Sequence, residues 1–379
     1  MMPHSPPRAP PARSGRRRWL SGLRVFLAAG LGGFWATILI AGFLMVESLA
    51  ARATSAVVAP PDIRRVVLQI GDRQRSYVLQ APPKATGARP LVVALHGWLG
   101  TGEGLEEMSG LSEAALRRGF TVAYPDGVWR AWGVSPTEAK GIADAAFLKT
   151  LVADVAARMP VDPKRIYLVG FSAGGFMAQS LACSGEMKVA GVAVVASNLF
   201  ATAASACPHP PAVPFLVIHG TADPMVPYGG GETPRGTILS IPETLAYWAQ
   251  ANGCAGPFTR APATSADPVV PVLRESAMNC PAGRAVEALL LEGGGHDWPG
   301  TAAWLPSFIV GQRSDAVNAT GAILDFLLRG QDGSRSAALG QRLDQVAPGD
   351  DAAQLVALHH QHAADVVPGN QLGDVAQRR

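Results

Sequence analysis

The chain has 379 residues, 48% of them hydrophobic and 16% charged, with a formal net charge of +3. That is enough material for one large core with appendages. Six arginines and no acid lie within the first 24 residues, which leaves about −3 for the remainder; this near-neutral body has no basic stripe of the kind a nucleic-acid footprint requires.

Residues 1–24 are Pro- and Arg-rich and are expected not to fold alone. Residues 25–46 form an uncharged apolar run of about bilayer-spanning length. The arginines before it predict that this end stays cytoplasmic. Ala51-Arg52-Ala53 has the small-residue spacing of a cleavage site, so two outcomes stay open: a retained anchor, which the length of the run favours, and a cleaved signal peptide. Either places the body outside the cytoplasm. Residues 47–62 read as a linker.

Around Gly71-Asp72, the segments Arg65–Ile70 and Arg75–Gln80 alternate as a β-hairpin. From Leu91 the pattern becomes strand, turn, helix, repeated. Strands are expected at Leu91–Leu95, Phe120–Tyr124, Arg165–Val169, Val189–Ala196, Val213–Ile218 and Val286–Leu291. Helices are expected at Gly104–Arg118, Ala145–Met159, Phe176–Ala182, Ile241–Asn252 and Gly321–Arg329. Unbroken apolar strands alternating with helices predict a mostly parallel, doubly wound α/β sheet, with the N-terminal hairpin as an antiparallel start. Asp144 reads as the N-cap of the helix that follows it. Pro257–Pro281 breaks the rhythm and reads as a surface insertion. The catalytic domain is taken as 63–330. The tail 331–379 has few large apolar residues and reads as largely disordered; its His359-His360-His362 cluster lacks an acid or cysteine to complete a ligand set.

The four cysteines, Cys183, Cys207, Cys254 and Cys280, form no Cys-x-x-Cys and have no zinc-site spacing. An even count in an exported chain suggests disulfides. Nearest-neighbour pairing gives Cys183–Cys207 and Cys254–Cys280, with three connectivities open.

Ile166–Val169, Gly170-Phe171-Ser172-Ala173-Gly174 and the apolar run Phe176–Ala182 read as strand, sharp turn and helix, the context a nucleophilic serine needs. A serine hydroxyl is a weak nucleophile unless a base takes its proton and an acid orients that base. On a sheet of this kind the chain order is Ser, acid, His, each at a strand's C-terminal end. Of eight histidines only His296 satisfies that order, in the glycine-rich loop after Val286–Leu291. Asp223, just after Val213–Ile218, is the best acid. Asp267 lies in the insertion, Glu232 and Glu243 sit further from a strand end, and Asp297 neighbours the base itself. An oxyanion hole needs two backbone N–H groups; Ala173 supplies one and Trp98 the other, with Leu99 as the alternative. His96 is expected to hold its loop by a hydrogen bond. Trp129, Trp132 and Trp298 lie in loops at strand ends. Trp132 and Trp298 are taken as substrate-binding residues, with ordinary packing as the competing reading. No cofactor and no metal is expected.

Several segments carry a resemblance. They are Leu95-His96-Gly97, Tyr124-Pro125-Asp126-Gly127, Asp144 with Phe147-Leu148, and Val161-Asp162-Pro163-Lys164-Arg165-Ile166-Tyr167. Gly170-Phe171-Ser172-Ala173-Gly174-Gly175 follows, then His219 through Tyr228 and Gly294-Gly295-His296-Asp297-Trp298-Pro299-Gly300. The region from about Ile63 to Gly330 resembles the polyhydroxybutyrate depolymerase/feruloyl esterase family of secreted α/β-hydrolases. The resemblance implies that fold and a Ser172-Asp223-His296 triad. It also implies cleavage of esters such as hydroxyalkanoate polymers, feruloylated cell wall or acetylated xylan. Trp98-Leu99 after His96-Gly97 departs from the family pattern and would narrow the acyl pocket. The expectation is an extracytoplasmic serine esterase acting on a small or oligomeric ester, with membrane contact only through 25–46 if uncleaved. The alternatives are a serine peptidase on the same fold and a non-catalytic, membrane-tethered binding protein.

Overall fold

A computed structural model describes residues 64–329, apart from 83–86, 267–269 and 303–304. The segments 1–24, 25–46, 47–62 and 331–379, with the anchor or signal and the His359 cluster, lie outside the described residues. Among the described residues no helix is long and apolar enough to cross a membrane.

A hairpin of β1 (Arg64–Ile70) and β2 (Arg73–Gln80) opens the domain, paired antiparallel around Gly71-Asp72. Next come β3 (Arg89–Leu95), helices α1 (Gly102–Ser109) and α2 (Leu111–Arg117), and β4 (Thr121–Pro125). One helix was expected over Gly104–Arg118. Gly110 instead takes a left-handed conformation (φ 59°), donates its N–H to Glu106, and ends α1 before α2 restarts. Helix α3 (Ala139–Arg158) leads to β5 (Val161–Phe171), α4 (Ala173–Ser184) and β6 (Gly191–Val195). Then follow α5 (Ala201–Ala206), β7 (Phe215–Gly220), a small hairpin of β8 (Gly231–Thr233) and β9 (Gly236–Ile238), and α6 (Ile241–Asn252). The order closes with β10 (Phe258–Pro262), β11 (Val272–Ala277), β12 (Val286–Leu291), α7 (Ser307–Val310) and α8 (319–329).

Ten strands form one sheet in the order β1-β2-β4-β3-β5-β6-β7-β12-β11-β10. The central run from β4 to β12 is parallel, and both edges are antiparallel. The expected mostly parallel α/β sheet with an N-terminal hairpin is what the chain forms. Alternate residues of each central strand feed two cores. Leu91, Val93, Leu168, Val192, Val217 and Leu290 pack with α3, α4 and α6 on one face. Val92, Val169, Ala193, Ile218 and Leu289 pack with α1, α2 and α8 on the other. Both faces are covered, which is why these strands read as continuous apolar runs.

Two expectations fail here. Pro257–Pro281 is not a surface insertion: it supplies β10 and β11, which extend the sheet beyond β12. β10 is the edge strand and buries none of its residues. In β11 just Val272 and Glu275 are buried, so the apolar signal is thin, and Pro262 is tolerated at a strand end. Asp144 is not an N-cap. Helix α3 starts six residues earlier, with Glu138 at the cap position, because Ser135–Glu138 turns directly into it. Asp144 lies inside the helix, 1% exposed, paired with Arg75 at 2.9 Å.

The disulfides are Cys183–Cys207 and Cys254–Cys280. The first joins the end of α4 to the end of α5. The second closes the base of the β10–β11 hairpin.

Candidate active site

Ser172 sits between β5 and α4 with φ 51° and ψ −118°, a strained conformation for a residue with a side chain. The strain is held by packing. Its N–H donates to Val195 O at 2.9 Å, and its carbonyl accepts from Gly175 and Phe176. A Cβ on Gly174 would lie 2.0 Å from the Leu95 carbonyl oxygen, so only glycine lets α4 approach the end of β3 this closely. The turn thus aims the Ser172 side chain off the top of the sheet.

β7 and β12 are neighbours in the sheet, and their following loops are tied together. Thr221 N–H donates to Leu291 O at 3.0 Å, Ala222 N–H to Gly294 O at 2.9 Å, and Gly293 N–H to Thr221 Oγ1 at 2.9 Å. This brings Asp223 and His296 together although 73 positions separate them. His296 Nδ1 is 2.7 Å from Asp223 Oδ2, and His296 Nε2 is 2.9 Å from Ser172 Oγ. All three are buried, with Ser172 at 9% the most accessible. Asp223 Oδ1 also accepts from the N–H groups of Met225 and Val226, both at 2.8 Å. Burial pushes Asp223 up, but the charge and hydrogen bond of His296, with the Val226 N–H, more than offset it and hold the carboxyl below its ordinary value. Phe171 packs against the His296 ring with centroids 5.2 Å apart.

The loop after β3 lies beside the serine. A Cβ on Gly97 would be 3.5 Å from Ser172 Cβ. The N–H groups of Trp98 and Ala173 bond to no protein acceptor among the described residues. Leu99, the alternative to Trp98, is excluded because its N–H donates to Arg130 O at 2.8 Å. His96 holds this loop as expected: its Nδ1 donates to Gly97 O at 2.7 Å and its Nε2 accepts from Gly127 N–H at 2.9 Å. Burial keeps His96 below its ordinary value and therefore neutral.

The tryptophans are placed differently from expectation. Trp132 and Trp298 are fully buried. Trp132 Nε1 donates to His96 O at 2.9 Å, and Trp298 Nε1 to Thr320 Oγ1 at 3.0 Å. Neither presents a face to a ligand; both brace the site from beneath. Their loops fold back over the sheet, which burial patterns within loops do not announce. Trp129 and Trp98 are the exposed pair, at 86% and 37%.

Two residues at the site escaped sequence reasoning. His219 is buried behind Asp223, its Nε2 3.9 Å from Asp223 Oδ2. Asp297 is 5% exposed, and its Oδ2 has no hydrogen-bond partner among the described residues. Burial pushes this carboxyl up to about 6. His219 stands four residues before Asp223 in the sequence, but a search for one base passes over it. Among the described residues no group of His, Cys, Asp and Glu is arranged to hold a metal ion.

Residues 75–226 match the family described as "Esterase PHB depolymerase". "Putative esterase NocK" of Nocardia uniformis subsp. tsuyamanensis is 34% identical over 287 residues, covering 69% of this chain and 81% of that protein. "Feruloyl esterase B" of Piromyces equi is 32% identical over 238 residues, covering 59% of this chain and 42% of that protein. Among solved structures, an acetyl xylan esterase from Aspergillus awamori aligns at 17% identity with a TM-score of 0.48, over 62% of this chain and 94% of that one. With a relative above 30% identity matched over most of its length, the chain belongs to the PHB depolymerase family of esterases, and it is a carboxylic ester hydrolase.

Proposed function

We propose that this esterase works outside the cytoplasm through an acyl-enzyme formed on Ser172. The observation that carries the reading is the buried line from Ser172 Oγ through His296 to Asp223, with spacings of 2.9 and 2.7 Å. Ser172 Oγ attacks the ester carbonyl as its proton passes to His296 Nε2. Asp223 holds the ring by Nδ1–H and stabilises the imidazolium. The carbonyl oxygen, now negative, rests on the N–H groups of Trp98 and Ala173. His296 returns the proton to the departing alcohol. Water, activated by the same nitrogen, then frees the acid.

Trp98 and Leu99, partly exposed in the loop whose Gly97 lies beside Ser172, support short acyl groups over long ones. Two disulfides support an oxidising compartment, and the Arg-flanked apolar run 25–46 supports export. The test is hydrolysis of p-nitrophenyl acetate, butyrate and decanoate by wild type and Ser172→Ala, with fluorophosphonate labelling. Rates should fall with chain length, and Ser172→Ala should lose at least about a thousandfold and resist labelling. Full activity in Ser172→Ala would overturn the mechanism, and the enzyme recovered reduced in the cytosol would overturn the location.

A further inference from the structure

His219 closes β7 and is 1% exposed. Its Nδ1 lies 2.9 Å from the Gly220 carbonyl oxygen. A carbonyl oxygen only accepts, so Nδ1 carries the proton. Burial pushes the ring below the ordinary histidine value, the charge of Asp223 opposing this only in part, so the imidazole is neutral. A neutral ring protonated at Nδ1 has a bare lone pair at Nε2. That atom has no hydrogen-bond partner among the described residues, and it lies 3.9 Å from Asp223 Oδ2.

The two oxygens of Asp223 are treated unequally. Oδ1 accepts from two backbone N–H groups, whereas the only protein donor to Oδ2 among the described residues is His296 Nδ1. His219 Nε2, 3.9 Å from Oδ2, has no proton to offer it. His96 makes the contrast. It has the same bond from Nδ1 to the next carbonyl, but its Nε2 accepts a backbone N–H and serves the loop alone. The titratable groups recorded against His219 are Asp223, His296 and Tyr228, whose ring meets it edge-on at 6.4 Å.

We infer that His219 is a positioning residue: by turning a proton-free nitrogen toward Asp223 Oδ2, it reserves that oxygen for His296. The inference rests on the acyl-enzyme reading above. A donor placed at Nε2 would compete for Oδ2 and weaken its hold on the His296 imidazolium, so the base would release its proton more easily.

The experiment has two arms. In the first, nitrogen NMR of histidine-labelled wild-type enzyme follows the His219 ring between pH 7 and 9, with the signal assigned by its loss in His219→Phe. Nε2 should stay unprotonated and Nδ1 protonated throughout; a proton on Nε2 within that range overturns the inference. In the second, the acid limb of kcat/KM, which reports the essential base of the free enzyme, is compared for two variants. His219→Gln carries an amide donor that reaches Oδ2. It should move the limb down by roughly 0.5–1 pH unit and lower kcat about tenfold. His219→Phe offers no donor and should leave the limb within about 0.3 unit of wild type. Equal shifts in both variants, or an unmoved limb in His219→Gln, overturn the inference. If His219→Phe does not fold, the His219 signal is assigned by its loss in His219→Gln, and the NMR arm on wild type decides. Full hydrolysis by Ser172→Ala would sink the acyl-enzyme reading instead, and leaves the nitrogen measurement untouched.

Discussion

Arg75 and Asp144 form an ion pair at 2.9 Å with side chains only 5% and 1% exposed, joining β2 to the interior of α3. Asp144 Oδ2 also accepts the Gly133 N–H at 2.8 Å, and the Arg75 guanidinium lies 4.0 Å over the Phe147 ring. The pair therefore fixes the loop that carries Trp132 under the candidate site. Removing Asp144 strands the Arg75 guanidinium in a dry interior. Asp144→Asn should cost about 3 kcal/mol in urea denaturation. The double variant Arg75→Met/Asp144→Leu should cost clearly less than either single change, and a double variant as unstable as the sum of the singles would contradict this account.

Trp132 offers a test of support for the oxyanion loop. Its N–H anchors the His96 carbonyl, one residue before Gly97. Trp132→Phe keeps most of the buried ring but drops that bond, leaving a buried carbonyl with one donor fewer. We expect kcat on p-nitrophenyl acetate to fall about tenfold with KM within about twofold, the signature of lost transition-state support. A change confined to KM would place Trp132 in substrate binding after all.

Asp297 should leave a pH signature in stability. Its folded value, about 6, stands above that of a free carboxyl. The folded state therefore binds its proton more tightly than the unfolded state does. The stability it contributes is fully present below about pH 4 and is lost as pH rises through about 6. Asp297→Asn removes that loss. It should be more stable than wild type at pH 8 by about 2 kcal/mol, with the gap narrowing toward pH 4, as read by urea denaturation at the two pH values. A gap that is the same at both would contradict the assignment.

The disulfides close loops of similar size, with sequence separations of 24 and 26 residues. Loop entropy assigns about 3 kcal/mol to each. Replacing either pair with serines should lower Tm by roughly 6–12 °C. The loss should match that seen when the corresponding bond of the wild-type enzyme is reduced.

The sequence by itself determined the parallel sheet and the three residues at its strand ends. Those features are local. A buried parallel strand is an unbroken apolar run, a nucleophile turn is a glycine-flanked serine between such a run and a helix, and chain order limits the acid and the base to few positions. Ile241–Asn252 and Val286–Leu291 have the bounds their patterns predict for the same reason. Tertiary structure decided what depends on contacts between distant segments. It drew β10 and β11 out of a proline-rich stretch, in which β10 buries no residue and β11 only Val272 and Glu275. It buried Trp132 and Trp298 as braces and moved Asp144 from a helix start into an ion pair with β2. It also selected one cysteine pairing among three. Above all it set a lone pair of His219 against Asp223, an arrangement fixed by where the Gly220 carbonyl points once β7 lies between β6 and β12.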